Sequence, residues 1–209
     1  MSINGYIRVK NSIEKEITIE KSRFICYTKM VETEEDAKVF VDGIRKKHPF
    51  ATHNCYAYVV ERGNIARFSD DGEPQGTAGI PMLEVLKNRN LKDTAVVVTR
   101  YFGGIKLGAG GLVRAYSSCT SAGLDEADVE ENILSDLLKI KFGYDKYSLF
   151  LKFIEKYKQK TLSSDFAEDV EIKIAVPTSE TDFCEKLTDY FLGKVEIEKD
   201  GQIFVVYGV

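Results

Sequence analysis

Between Arg100 and Arg114 the chain sets five glycines, at 103, 104, 108, 110 and 111, among three cations, Arg100, Lys106 and Arg114. Glycine accepts positive φ and lets backbone approach a ligand closely, so several N–H groups can converge on one anion. Leu112, Val113, Tyr116 and Cys119 follow at helical spacing, and a helix starting here would add unsatisfied N–H groups and the positive end of its dipole. No Asp or Glu lies between Thr94 and Leu124, so an anion would meet no repulsion from its own sequence neighbourhood. The spacing fits neither Gly-x-x-x-x-Gly-Lys-[Ser/Thr] nor Gly-x-Gly-x-x-Gly, which leaves general anion or backbone-phosphate contact as the reading. The same glycines would equally let a helix pack tightly under a strand.

A second polar segment, Ser69-Asp70-Asp71-Gly72-Glu73, carries carboxylates suited to a hard cation or to acid/base work. An acidic turn near Arg67 and Arg100 also suits charge-assisted pairing that orients the loop. His48 and His53 are the only histidines. His48, before Pro49, reads as a helix end where imidazolium complements the dipole, and His53 as a structural hydrogen-bonder or ligand contact. Tyr101 and Phe102 could stack on bases or fill a core. No serine or cysteine sits in a nucleophile-elbow context, so no catalytic residue is assigned. Cys26, Cys55, Cys119 and Cys184 are too far apart for a metal site and read as buried, reduced thiols; no metal or cofactor is expected.

Asp and Glu outnumber Lys and Arg 19 to 18 up to Leu134 and 14 to 11 from Ser135, and all eight arginines precede residue 135. Guanidinium suits bidentate phosphate recognition, so an anionic partner is expected at the first part of the chain. With 209 residues, two domains of modest size are expected. The acidic stretch Asp125 to Asp136 places their boundary, giving domains 1–134 and 135–209. The start of the chain has no basic segment leading an apolar run, and no stretch approaches a bilayer-spanning length, so a cytoplasmic protein without membrane contact is expected.

The elements that must position these residues follow from periodicity. Ile17 to Met30 alternates as strand material, and Thr33 with Asp36 forms a capping box before a helix with Ala37, Phe40, Val41 and Ile44 on one face. Cys55 to Val60 and Ile65 to Phe68 flank Gly63-Asn64 as a hairpin. The loop from Ser69 ends at Pro81, in the first turn of a helix that turns Met82, Val85 and Leu86 inward. Thr94 to Val98 is a continuous β-branched run, as in a strand covered on both faces. Beyond the boundary, Leu137 to Phe142, a helix through Tyr147 to Ile154, Lys160 to Phe166, Val170 to Val176, a helix capped by Ser179 and Asp182, and strands at Lys194 to Glu198 and Ile203 to Tyr207 give a βαββαβ order.

Lys21-Ser22-Arg23-Phe24-Ile25, His53-Asn54-Cys55-Tyr56-Ala57-Tyr58, Asp70-Asp71-Gly72-Glu73-Pro74 with Gly76-Thr77-Ala78-Gly79, and the run Val96 to Tyr116 resemble the YigZ/IMPACT family, in the family's order. The resemblance implies an α+β protein. Its N-terminal α/β-sandwich domain would share the fold of a ribosomal small-subunit protein domain, the RNase P protein and GHMP kinases, and its C-terminal ferredoxin-like domain would be similar to one of elongation factor G. Eukaryotic members carry a further N-terminal domain associated with translational regulation under amino-acid stress; motifs that begin at Lys21 leave no room for it, so that partnership is not expected here. For bacterial-type members the resemblance implies no established enzymatic activity and a role with nucleic acid or the translation machinery. Arg23, His53, Arg67, Asp70, Asp71, Arg100, Lys106 and Arg114 match motif positions. The expectation is a non-catalytic RNA- or ribosome-associated protein that contacts phosphates through Arg23, His53, Arg67, Arg100, Lys106, Arg114 and the glycines. A phosphate- or nucleotide-binding enzyme using Asp70, Asp71 and Glu73, and a protein-interaction module, stand as alternatives; oligomeric state is left open.

Overall fold

The computed structural model describes residues 5–157 and 159–207, so Met1 to Asn4 of the expected leaderless start lie outside the described residues. Ten strands and five α-helices, with one short 3-10 turn, make up the described chain. It divides into two compact units, Tyr6–Glu130 and the residues from Glu131 onward together with Gly5.

After β1 (Gly5–Val9), the first unit builds an antiparallel sheet from β2 (Ile13–Ile19), β3 (Ser22–Met30), β4 (His53–Val60), β5 (Ile65–Ser69) and β6 (Thr94–Tyr101), in the order β2-β3-β6-β4-β5. The central β6 is buried from Thr94 to Arg100 because both of its faces are covered. Side chains alternate across a strand. Val96 and Val98 therefore join Phe24, Cys26, Met82, Leu86 and Tyr116 on the face covered by α2 (Gly79–Asn88) and α3 (Gly108–Asp125). Ala95 and Val97 turn the other way, toward α1 (Glu34–Lys47). The Thr33–Asp36 capping box starts α1 as its sequence implies, and Pro81 sits in the first turn of α2.

Ile17 to Met30 is not one strand. A two-residue turn at Glu20-Lys21, with φ of 45° and 62°, folds β2 back on β3 so that Ile19 faces Ser22. Residue type gives no warning, since neither side chain favours the left-handed region; the long antiparallel register on either side holds the turn there.

In the second unit, β7 (Val129–Phe142), α4 (Tyr147–Tyr157), β8 (Lys160–Phe166), β9 (Val170–Pro177), α5 (Phe183–Tyr190) and β10 (Glu196–Val206) follow the βαββαβ order, and these four strands run antiparallel as β10-β7-β9-β8. Phe142, Phe150, Phe153, Ile172, Ile174, Phe183, Leu187 and Phe191 form one core between the sheet and its helices. The acidic stretch that reads as a boundary is mostly strand: β7 begins at Val129, buries Asn132 and Ser135, and ties Asp136 to Lys199 and Gln202. The units divide inside β7, between Glu130 and Glu131. Residues 194–198 and 203–207 do not form two strands; their strand residues belong to β10, whose register shifts between Lys199 and Gln202 around Gly201 (φ 97°). Ser179 does not cap α5. Asp182 stands at its N-cap without a side-chain cap bond and pairs with Lys186 instead.

Cys26, Cys55 and Cys119 are buried free thiols, whereas Cys184 is half-buried. His48 does close α1, but its ring bonds Tyr27 Oη at 2.6 Å and Tyr101 Oη at 2.9 Å, and burial holds its pKa below the usual 6.5. The expected imidazolium is therefore disfavoured. Just below the ordinary histidine pKa the unfolded chain binds this proton and the folded chain does not, so His48 adds stability at neutral pH that is lost as pH falls through its lowered folded value. The stability advantage of the native chain over His48→Gln, measured by urea melts, is expected to shrink between about pH 7.5 and about pH 5.5; an advantage constant with pH would contradict this.

Candidate functional site

The glycine run connects β6 to α3, and its first half is taken up by packing. Phe102 N donates to Thr52 Oγ1 at 3.0 Å and Gly103 N to Ser22 Oγ at 3.1 Å. A Cβ at Gly103 would lie 2.0 Å from the Lys21 carbonyl carbon, so this glycine exists for a close backbone crossing under the β2–β3 turn. Its amide is not available to a ligand. From Gly104 onward the segment differs. Gly104 and Gly108 hold φ of 86° and 68°, and Gly104, Lys106, Gly108, Ala109 and Gly110 are exposed, while Gly111 is half-buried against Leu107. The start of α3 has no side-chain cap and no acid in its first turn, which leaves early N–H groups open to an anion. Arg114, one turn on, places Nη1 3.7 Å from where a Gly110 Cβ would stand. Lys106 and Arg114 are exposed and make no ion pair among the described residues.

The acidic loop faces the same region, with a different role for each carboxylate. Asp70 Oδ2 accepts from Gly76 N at 2.8 Å, and its Oδ1 accepts from Ala78 N at 3.0 Å and Gly79 N at 2.8 Å, so it caps α2 from outside the helix. Asp71, at φ 44°, accepts from Asn54 N at 2.7 Å and Arg45 Nη2 at 3.0 Å. Glu73 turns inward and is 8% exposed. Its Oε1 accepts from Arg100 Nη1 at 2.6 Å and Tyr116 Oη at 2.8 Å. Among the described residues no cluster of three or more His, Cys, Asp or Glu side chains could hold a metal ion.

Arg100, expected as a surface phosphate contact, is 4% exposed. It lies between the rings of Phe24 and Phe102, at 5.2 Å and 5.4 Å from their centroids, and Nη2 reaches Ser22 Oγ at 3.3 Å. Removing one member of such a pair strands a buried charge, at a cost of about 3–5 kcal/mol. Arg23 and Arg67 are also committed. Arg23 grips Glu16 through Nε and Nη2 at 2.9 Å and 2.8 Å and lies over Tyr101, while Arg67 Nε is 3.6 Å from Glu34. His53 Nδ1 must donate to the Asp71 carbonyl at 2.8 Å, which leaves Nε2 toward Glu73 Oε2 at 3.7 Å.

The chain thus brings Glu73, Arg100, Phe102, Lys106 and the start of α3 around one cleft of about 330 Å³, and places Lys106 and Arg114 on a neighbouring cleft of about 400 Å³ beside Glu20. Tyr116 and Cys55 lie behind Glu73. Cys55 Sγ donates to the Asp70 carbonyl and approaches Tyr116 Oη at 3.3 Å, and burial raises the pKa of both the thiol and the phenol. Helical spacing marks Tyr116 only as an apolar-face residue; the further signal it carries is a hydroxyl at a core position of a helix, which needs a buried partner.

The Impact N-terminal domain matches residues 20–124, and a domain of unknown function, DUF1949, matches residues 140–194. IMPACT family member YvyE of Bacillus subtilis is 46% identical over 96% of this chain and 93% of its own. The chain belongs to the IMPACT family. IMPACT family member YigZ of Escherichia coli is 34% identical over 86% of this chain and 90% of its own. A solved structure described as the crystal structure of an hypothetical protein superposes with a TM-score of 0.60 at 31% identity, covering 93% of this chain and 97% of that one. In this IMPACT family chain no helix among the described residues is long and apolar enough to cross a membrane.

Three substitutions separate packing from ligand roles in these loops. Gly103→Ala is expected to cost about 3 kcal/mol through the backbone clash, whereas Gly110→Ala, with helical backbone and only the Arg114 Nη1 in ordinary contact at 3.7 Å, should gain about 0.4–1 kcal/mol. Asp70→Ala should cost about 2–3 kcal/mol by stranding amides at the start of α2. Urea unfolding of the three variants against the parent chain checks all three signs.

Proposed function

We propose that this protein binds RNA, free or within the translation machinery, without acting as a catalyst, and that phosphate contact is made by Lys106, Arg114 and the amides at the start of α3. Supporting this reading is the difference between the cations: Arg23, Arg67 and Arg100 are held by carboxylates, while Lys106 and Arg114 stand exposed, without an ion pair among the described residues, beside an uncapped helix start whose first turn carries no acid. Cations already neutralised by a partner contribute little to an anion, whereas unpaired ones add their full charge. The first unit, on this reading, has the fold of the ribosomal-protein and GHMP-kinase-like group and the second is ferredoxin-like, in line with its β10-β7-β9-β8 order. Phosphate contacts position a strand without specifying its sequence.

Filter binding of unrelated single-stranded RNAs across a salt series tests the proposal. Lys106→Ala with Arg114→Ala should weaken all of them alike and lower the slope of log affinity against log salt by about 1.4, at about 0.7 for each phosphate no longer neutralised. Arg23→Ala and Arg67→Ala should change binding far less. Equal binding by the Lys106/Arg114 double variant and the parent would remove the site from this surface.

A further inference from the structure

We infer that the cleft between Phe102 and the start of α3 is a receptor for one nucleotide bearing a terminal phosphomonoester, either free or at the end of an RNA strand. This rests on the reading of Lys106 as a phosphate contact and goes beyond it in naming which phosphate is taken. The cleft, about 330 Å³, is at the small end of ligand sites and fits one nucleotide better than a run of backbone.

Its walls divide by chemistry. Pro74, Phe102, Leu107 and Leu112 supply apolar surface, and Lys106 with the amides from Gly108 supplies the anion side. Phe102 is 47% exposed, yet its ring is steadied by the Arg100 guanidinium 5.4 Å from the centroid. An exposed aromatic face backed by a fixed cation suits a stacked base. Arg100 itself lines the cleft, nearly fully buried, and among the described residues its Nε finds no hydrogen-bond partner. That orphaned donor belongs to a side chain whose other nitrogens hold Glu73 and Ser22 beneath the cleft. It is the feature here that packing leaves unexplained.

Charge count favours a terminal group. A strand lying across this surface would need a row of unpaired cations, and Arg23 and Arg67 are engaged by Glu16 and Glu34. Lys106 in this cleft, with the amides at the start of α3 and Arg114 on the adjoining cleft, offers a compact positive end for the charge of about −1.5 to −2 that one phosphomonoester carries near neutral pH. Lys106 lines both clefts, whereas Arg114 lines only the neighbouring one, beside Glu20.

The test uses the full chain and one oligoribonucleotide sequence made with a 5′-phosphate, with a 3′-phosphate, and with hydroxyls at both ends, and adds nucleoside monophosphates as competitors, with binding read by fluorescence anisotropy. A phosphorylated end should bind about tenfold tighter than the hydroxyl form, a ratio of the size one stacked base or one charge-assisted contact produces. Phe102→Leu, which keeps apolar cover over Arg100 and removes the stacking face, should weaken the phosphorylated strands about tenfold, with a cooperative melt near that of the parent showing that the fold is kept. Competition by monophosphates and not by nucleosides supports a free nucleotide as the ligand; no competition while the end preference remains supports a strand end. Equal binding of all three strands, abolished together in the Lys106/Arg114 double variant, overturns this inference and leaves the proposed function standing. Absence of binding by every strand and monophosphate overturns both.

Discussion

Arg100 carries a full positive charge into the interior of the first unit, at the end of the central strand, and Glu73 meets it there at 2.6 Å. An unpaired charge in that position would be prohibitive, so the loop that supplies Glu73 must fold back toward α3 and stay there. The rest of the site is arranged around that requirement. Asp70 fixes the near side of the loop through amides of α2, Asp71 fixes it to β4, and Tyr116 gives the carboxylate a second donor from α3. Strand, loop and two helices are joined through one buried pair.

The outward consequence is a surface that separates structural from available charge. Carboxylates consume most of the arginines that sequence alone would assign to phosphate, and the glycine nearest β6 serves a backbone crossing at the β2–β3 turn. What stays open is displaced by one turn of chain, toward Lys106, Arg114 and Gly108. The same pair that removes Arg100 from solvent also holds its guanidinium against Phe102, so the buried network shapes the exposed rim.

The second unit offers a contrast, with no buried ion pair among its described residues. Its core is aromatic and aliphatic, and the ion pairs on its sheet, such as Lys139 with Glu171 and Lys173 with Asp200, are solvent-accessible and contribute modestly. Its element order is carried by hydrophobic periodicity, which explains why that order is readable while the edges of the elements are not. The acidic start of β7 reads as a linker by composition and is strand because Asn132 and Ser135 bury between the charged residues.

Periodicity and local chemistry determined by themselves the helices α1 to α5, the β4–β5 hairpin at Gly63-Asn64, the doubly covered β6 and the Thr33–Asp36 cap, because each depends on residues within a few positions of one another. The family resemblance was also legible, since its motifs are contiguous. Only the tertiary structure decided the Glu20-Lys21 turn, the single long β10, and above all which cations face solvent. Arg100 and Arg114 look alike in sequence, each close to glycine and aromatic residues, and their fates part because Glu73, 27 positions before Arg100, reaches one and not the other. Charge pairing over such separations is a property of the folded arrangement, and the chemistry of this site follows from it.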